Sequence, residues 1–333
     1  MKRIFSALLA FFIASPALAE CPDTSVFSKL PEKKQTEMRT AAHQQPFAKG
    51  LIWQVSKNDV TSYIVGTLHL SNPRHAETLT RVQSLYDKVD TLVLEMTSED
   101  EAAFLTTLTS NSALFMITEG PSLIDRLGED TWNTLLPRIE EAGLPGFMAA
   151  KYQPWFLGLA LAVPPCVLEE QRAGKIGLDR QIERIAKDKG LATSSLDNTE
   201  GLLQVLAGDP LEKQVADLRD AVAFGLAGHD TTSDLVNFYF DEEVALAWEF
   251  TRAQAFEKAG PEQYDRVTGI LEEFEQALLT DRNLLWSRTL ADSLAQSPAL
   301  VAVGALHLPG EDGLLSLLQK QGFAVAPLVH DGE

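Results

Sequence analysis

Basic residues are scarce in this 333-residue chain, and cysteine is scarcer. Lys and Arg number 28 against 47 Asp and Glu, a formal net charge of −19. Partners that carry phosphate need clustered Lys and Arg, so this deficit argues against nucleic acid and anionic lipid. The two cysteines, Cys21 and Cys166, have no CxxC spacing, a poor basis for structural zinc or dithiol redox chemistry. No Gly-rich phosphate loop, dinucleotide fingerprint or serine-centred elbow occurs, which leaves nucleotide chemistry and serine nucleophiles without a carrier. Beyond the N-terminus no segment approaches the roughly 20 uninterrupted apolar residues of a membrane span. No Gly/Ser-rich linker divides the chain.

What is present is ordinary globular material. Hydrophobic residues make up 45% and charged residues 23%, enough for a sizeable core in one α/β domain. The N-terminus, MKRIFSALLAFFIASPALAEC, opens with Lys2 and Arg3, continues apolar from Ile4 to Ala14, and reaches Ala17-Leu18-Ala19. That order predicts a signal peptide over 1–19, cleaved after Ala19, and a single domain over 20–333. Lipid attachment at Cys21 would need a small residue before it, and Glu20 stands there. The expected product is a periplasmic or secreted protein with no stable membrane span. In an oxidising compartment Cys21 and Cys166 are expected to pair, against the alternative of two free thiols.

The strongest signal is a phrase that occurs twice. Residues 64–70 read IVGTLHL and residues 302–308 read AVGALHL, identical at five of seven positions. Each copy closes an apolar, strand-like run and delivers a histidine, His69 or His307, three residues after a glycine, Gly66 or Gly304. In open α/β sheets ligands and catalytic groups gather at the carboxyl ends of strands. One Gly-x-x-His alone reads more readily as a turn glycine near a satisfied histidine. The doubling points to one site built from both ends of the chain.

The surrounding pattern supplies the elements. LIWQVS (51–56) and SYIVGT (62–67) read as a β-hairpin around Lys57-Asn58-Asp59. An amphipathic helix over 75–88 and a buried strand TLVLEM (91–96) complete a βαβ unit. The middle, roughly 99–290, reads as mostly helical, with one short strand at LATSSL (191–196) after a helix over 179–189. A long amphipathic helix is expected over 261–294. The last unit is strand ALVAVG (299–304), helix 311–321 and strand FAVAPL (323–328), with Gly322 at the turn.

Glu95 is the third member of the constellation. A lone carboxylate at the end of an apolar strand is costly unless paired or bound to a cation. Two histidines and one carboxylate are a familiar ligand set for a divalent metal ion with open positions. The alternative for Glu95 is an ion pair with arginine, and Arg282 in TDRNLLWSR is the candidate. Arg282 and Asn283 could together support a developing oxyanion, or belong to the surface of an amphipathic helix. Asp179 reads as a helix N-cap. His43, His75, His229 and His330 lack a partner pattern and read as surface or loop residues.

On these residues the chain resembles the TraB/GumN family, which includes the Tiki-type metalloproteases, and more distantly the erythromycin-esterase and ChaN-like proteins. The segments that carry the resemblance are CPDTSVFSKL (21–30), PFAKGLIWQV (46–55), YIVGTLHLSNP (63–73), VLEM (93–96), PWF (154–156), GLD (177–179), DRN (281–283) and VGALHLPGEDGLLSLLQKQGF (303–323). Near residue 196 the family usually has Leu-Glu, whereas this chain has Leu196-Asp197. The resemblance implies an α/β fold with a mixed central sheet of βαβ units and hairpins and a large helical middle, the erythromycin-esterase/ChaN-like core. It also implies a metal-dependent hydrolytic site, peptidase in the Tiki-like members with Mn²⁺ or Co²⁺, at His69, Glu95, Arg282, Asn283 and His307. The expected partner is a peptide or small-molecule substrate. The competing expectations are a non-catalytic metal or haem binder, as the ChaN resemblance allows, and an inhibitor-type module that keeps the fold without turnover.

Overall fold

The computed structural model describes residues 25–225 and 231–328. Its frame is a mixed six-stranded sheet in the order β4-β3-β5-β2-β1-β6. The strands are β1 (Ile52–Lys57), β2 (Val60–Thr67), β3 (Thr91–Leu94), β4 (Ala192–Ser195), β5 (Ala299–Gly304) and β6 (Ala324–Pro327). The four strands β2, β5, β3 and β4 run parallel, while β1 pairs antiparallel with both β2 and β6. The expected α/β class is therefore the observed one.

The hairpin forms where the sequence breaks. Asn58 and Asp59 both take positive φ, 52° and 64°, the backbone of a type I′ turn whose twist suits two antiparallel strands. Lys57 consequently pairs with Val60. The apolar run of β5 lacks polar alternation because helices cover both faces of the sheet. Leu300 and Ala302 join Val82, Leu85, Leu178 and Ile182 on one face, under the helices His75–Gln83 and Leu178–Asp188. Val301 and Val303 join Trp286, Leu290, Leu314 and Leu318 on the other, under the helices Asp281–Leu294 and Leu314–Lys320. The helical middle has its own apolar cluster, including Leu123, Trp132, Ile139 and Leu218. Among the described residues no helix is long and apolar enough to cross a membrane.

Two expectations need correction here. The helix expected over 261–294 is α-helical over Tyr264–Glu275 and again over Asp281–Leu294, with a π-helical turn, Gln276–Thr280, between them. Periodicity alone cannot show a one-residue change of helical winding. His75 is no surface residue: it is 1% exposed, its Nε2 lies 2.8 Å from the Leu70 carbonyl, and its ring sits against Tyr239 and Phe240.

Candidate active site

Three parallel neighbours, β2, β5 and β3, end on the same edge of the sheet. Thr67 pairs with Gly304 and Leu94 with Ala302, so the chain leaves all three strands at nearly one level. His69 follows β2 by two residues, Glu95 follows β3 by one, and His307 closes the 3₁₀ turn Ala305–His307 after β5. Gly304 lies at their centre. A Cβ placed there would sit 3.1 Å from Glu95 Oε1, 3.6 Å from His307 Cδ2 and 3.7 Å from His69 Nε2. Gly66, the matching glycine, has a different task. A Cβ on it would meet Leu308 Cδ1 at 2.8 Å and the Ala305 backbone at 3.1 Å, so its absence lets the turn that bears His307 lie against β2.

Both histidines have Nδ1 held from behind. His307, 4% exposed, has Nδ1 2.7 Å from Asn283 Oδ1. A carbonyl oxygen can only accept, so Nδ1 carries the proton and Nε2 presents its lone pair. Burial, reinforced by the charges of Arg282 and His69, outweighs Glu95 and pushes the His307 pKa down to about 4. His69 Nδ1 lies 3.3 Å from Asp179 Oδ1. Desolvation opposes its charge, but Asp179, with help from Glu95, raises its pKa to about 9. The ring edge remains 60% exposed to solvent.

Glu95 uses both carboxylate oxygens. Oε1 accepts from the Gly304 N–H at 2.5 Å and Oε2 from Arg282 Nη2 at 2.6 Å. Burial works against the anion. His307, Arg282, His69 and the Gly304 amide together overcome it and hold the carboxyl down at about 2. Arg282 also donates to Asp197 Oδ2 at 2.7 Å and to the Leu278 carbonyl, inside the preceding π-helical turn, at 3.1 Å. Its Nη1 stands 3.2 Å from His307 Nε2. Trp286, fully buried, lies beneath this group. Arg282 stacks on its ring at 4.4 Å, His307 packs beside it, and its indole N–H donates to Asp197 Oδ1 at 2.8 Å.

A cleft of about 480 Å³ opens from this centre, with Thr67, His69, Glu95, Glu101, Asp179 and Arg180 among its walls. Among the described residues, the buried Thr67 Oγ1 makes no hydrogen bond, and Asp179 Oδ1 has only its 3.3 Å ion-pair contact with His69. Thr67 is 3% exposed, and a buried hydroxyl without a partner is uncommon in folded proteins.

The structure thus brings His69, Glu95, Arg282, Asn283 and His307 together. Asn283 differs in posture from an oxyanion donor. It is 2% exposed, its Oδ1 takes the His307 N–H, and its Nδ2 donates to the Asp312 carbonyl at 3.0 Å. Asp179 is not the cap expected: Gly177 occupies that position, and Asp179 turns from the first helical turn toward His69. A side chain at 177 would strike the His69 carbonyl at 2.3 Å. The sequence marks Asp197 only as a departure from the family's Leu-Glu, and assigns no role to it or to Trp286. The one available signal was the helical spacing of Asn283 and Trp286, three residues apart, which places both on the inward face beside Arg282. His43 is a surface residue, paired with Glu243. Cys21, the 1–19 segment, His229 and His330 lie outside the described residues.

The donor types suit a divalent cation. Imidazoles that ligate metals characteristically have the other ring nitrogen tied to a carboxylate or carbonyl, and both histidines here do. The placement is not yet a closed ligand set: among the described residues no three His, Cys, Asp or Glu side chains stand as a ready group. Arg282 stands among the candidate ligands, donating to Glu95 Oε2 and lying 3.2 Å from His307 Nε2.

The TraB/PrgY/gumN family is matched over residues 51–327. No curated protein and no solved structure gives a match.

Proposed function

The chain belongs to the TraB/PrgY/gumN family, and from that premise we propose that it is a metal-dependent hydrolase of the peptidase class, with its reacting centre at His69, Glu95 and His307. The observation that carries this reading is the convergence of two back-braced imidazoles and a carboxylate around Gly304. His69 and His307 would hold the ion through Nε2, with Glu95 as the third ligand or as the base. A divalent ion there would supply an acidified water and a polarised carbonyl. The protein's own contribution is orientation and charge. Asn283 keeps the His307 lone pair pointed at the centre, and Asp179 braces His69. Arg282, fixed by Asp197 and Trp286, brings guanidinium donors to the centre, where they can stabilise a developing oxyanion. Thr67 offers an unpaired hydroxyl to the bound substrate.

Purified chain titrated with Mn²⁺, Co²⁺ and Zn²⁺ should bind about one ion, and His69→Ala and His307→Ala should each abolish binding. Glu95→Gln should reduce peptide turnover about 10²-fold or more. Lost metal would make Glu95 a ligand; retained metal with lost turnover would make it the base. A second reading, a non-catalytic metal or haem binder, draws support from the Glu95–Arg282 ion pair, which stabilises the carboxylate as an anion and weakens it as a base. Ion binding with no turnover across a peptide library would favour it. Neither binding nor turnover would leave a non-enzymatic module.

Export belongs to the same proposal: cleavage after Ala19 and a periplasmic or secreted product, with Cys21 joined to Cys166. Mass spectrometry of protein recovered from that compartment should show a chain beginning at Glu20. Labelling without reductant in denaturant should find no thiol, and two labelled cysteines would remove the bridge.

A further inference from the structure

Past Lys175 and Ile176, which line both, the catalytic cleft continues into a larger groove of about 1180 Å³. Its near wall is the loop 70–74, which leaves directly from His69. Among the described residues the charged lining is Arg74, Arg138, Lys175 and Arg184 against Glu141 and Glu170. That is a cationic majority in a chain whose acids outnumber its bases 47 to 28. Arg74 is turned toward Asn237 and Asp241, and Lys175 toward Glu170. Arg184 is exposed and makes no hydrogen bond or ion pair among the described residues.

The groove also shows what it lacks. Among the described residues no aromatic lines it, whereas four prolines, Pro73, Pro137, Pro164 and Pro165, do. Nucleobases bind on aromatic platforms, and the flat faces of sugar rings are recognised in the same way. Short apolar walls, polar side chains and loop backbone instead suit an extended polypeptide, which brings its own amides and carbonyls. Arg184 and Asp179 share the helix Leu178–Asp188. They stand five residues apart, about 7.5 Å along the helix axis and about 140° around it, and Asp179 braces His69. Along the axis an extended chain covers that separation in about two residues.

We propose that this groove binds the substrate as an extended peptide, and that Arg184 selects an acidic side chain about two residues from the bond presented to His69. The proposal rests on the hydrolase reading only for what happens to the peptide afterwards; the binding preference stands without turnover.

The test is therefore a binding measurement. Fluorescein-labelled octapeptides that differ at one position, Glu, Gln or Lys, are titrated with the metal-free chain and followed by anisotropy. On the unmodified chain the Glu peptide should bind about tenfold tighter than the Gln peptide, as a charge-assisted pair supports, and the advantage should shrink with added salt. Arg184→Ala should erase the preference, and Arg184→Glu should reverse it toward Lys. Both substitutions are on an exposed side chain, and unchanged ellipticity and melting would confirm an intact fold. A Glu/Gln ratio that survives Arg184→Glu overturns the proposal, as does no detectable binding of any peptide. An anionic oligosaccharide of equal charge that binds as tightly as the Glu peptide overturns the peptide assignment. Acid-selective binding with no cleavage after Mn²⁺, Co²⁺ or Zn²⁺ is added leaves this proposal standing and counts against the hydrolase. Cleavage indifferent to both acid and Arg184 does the reverse.

Discussion

Thr67 separates what the fold needs from what the site needs. Its hydroxyl is buried, without a partner, and faces the cleft beside His69 and Glu95. A buried unpaired hydroxyl costs free energy, so an apolar replacement of the same shape is neutral or stabilising. Thr67→Val is expected to leave the denaturation midpoint unchanged, or raise stability by about 1 kcal/mol, while lowering turnover by reducing kcat more than KM. Thr67→Ser should restore most of the activity. A Val variant with full activity would confine Thr67 to a structural role. The same scale shows which site residues could be read in advance. His69 and His307 stood out because the sequence states them twice in one phrase, and Glu95 because a carboxylate interrupts an apolar run. Asp179, Asp197 and Trp286 were not legible. Each has an ordinary local use, as helix-terminal acid, loop acid or core aromatic, and only tertiary contact with His69 or Arg282 gives it another.

Among the elements, strands were the more legible. The hairpin, β5 and the short β4 follow from apolar runs bounded by turn residues, and their parallel order from the intervening helices. The sequence does not show that β5 enters between β2 and β3, since an adjacent βαβ unit and one split by a distant strand read alike. That insertion is what unites the two Gly-x-x-His units. The π-helical turn Gln276–Thr280 was hidden for a related reason: one extra residue per turn leaves the apolar stripe almost unaltered. Such turns recur at functional sites, and this one immediately precedes Arg282 and receives its side chain at Leu278. The strand exit yields a sharper prediction. A methyl group at Gly304 would enter the space shared by Glu95, His307 and His69, at 3.1 to 3.7 Å, among side-chain atoms rather than backbone. Gly304→Ala should therefore fold, at a cost of about 1 kcal/mol, yet lose the bound ion and turnover. At Gly66 the same methyl would meet the Ala305 backbone, and Gly66→Ala should cost about 1–3 kcal/mol. Thermal melting and metal titration of both variants would check the contrast. Equal losses of stability would mean that the two glycines do one job.

For the whole molecule the buried titratable groups set a pH window of stability, and its sides can be assigned. Burial lowers the His75 pKa against the Leu70 carbonyl bond and, with Arg282 and His69, takes His307 to about 4. The unfolded chain therefore binds protons at these positions near pH 6.5 that the folded chain refuses. Their stabilising contribution is complete above about 6.5 and falls away as pH drops toward 4. Glu95, held near 2, adds a further loss below the ordinary carboxylate range. His69 has the opposite sign. Its folded pKa of about 9 exceeds the unfolded value, so its contribution is full below about 6.5 and is lost as pH rises through 9. The exposure of its ring keeps that contribution modest. The metal-free chain should accordingly be most stable near neutrality, with urea midpoints falling on both sides. His69→Gln should flatten the alkaline limb between pH 6.5 and 9 and, by removing one of the charges that depress His307 and Glu95, weaken the acid limb to a lesser degree. His307→Gln should flatten the acid limb, because a neutral amide in that cavity has no proton to refuse. An alkaline limb unchanged by His69→Gln would show that the Asp179 contact contributes nothing to folding and that the acidic surface alone accounts for the decline.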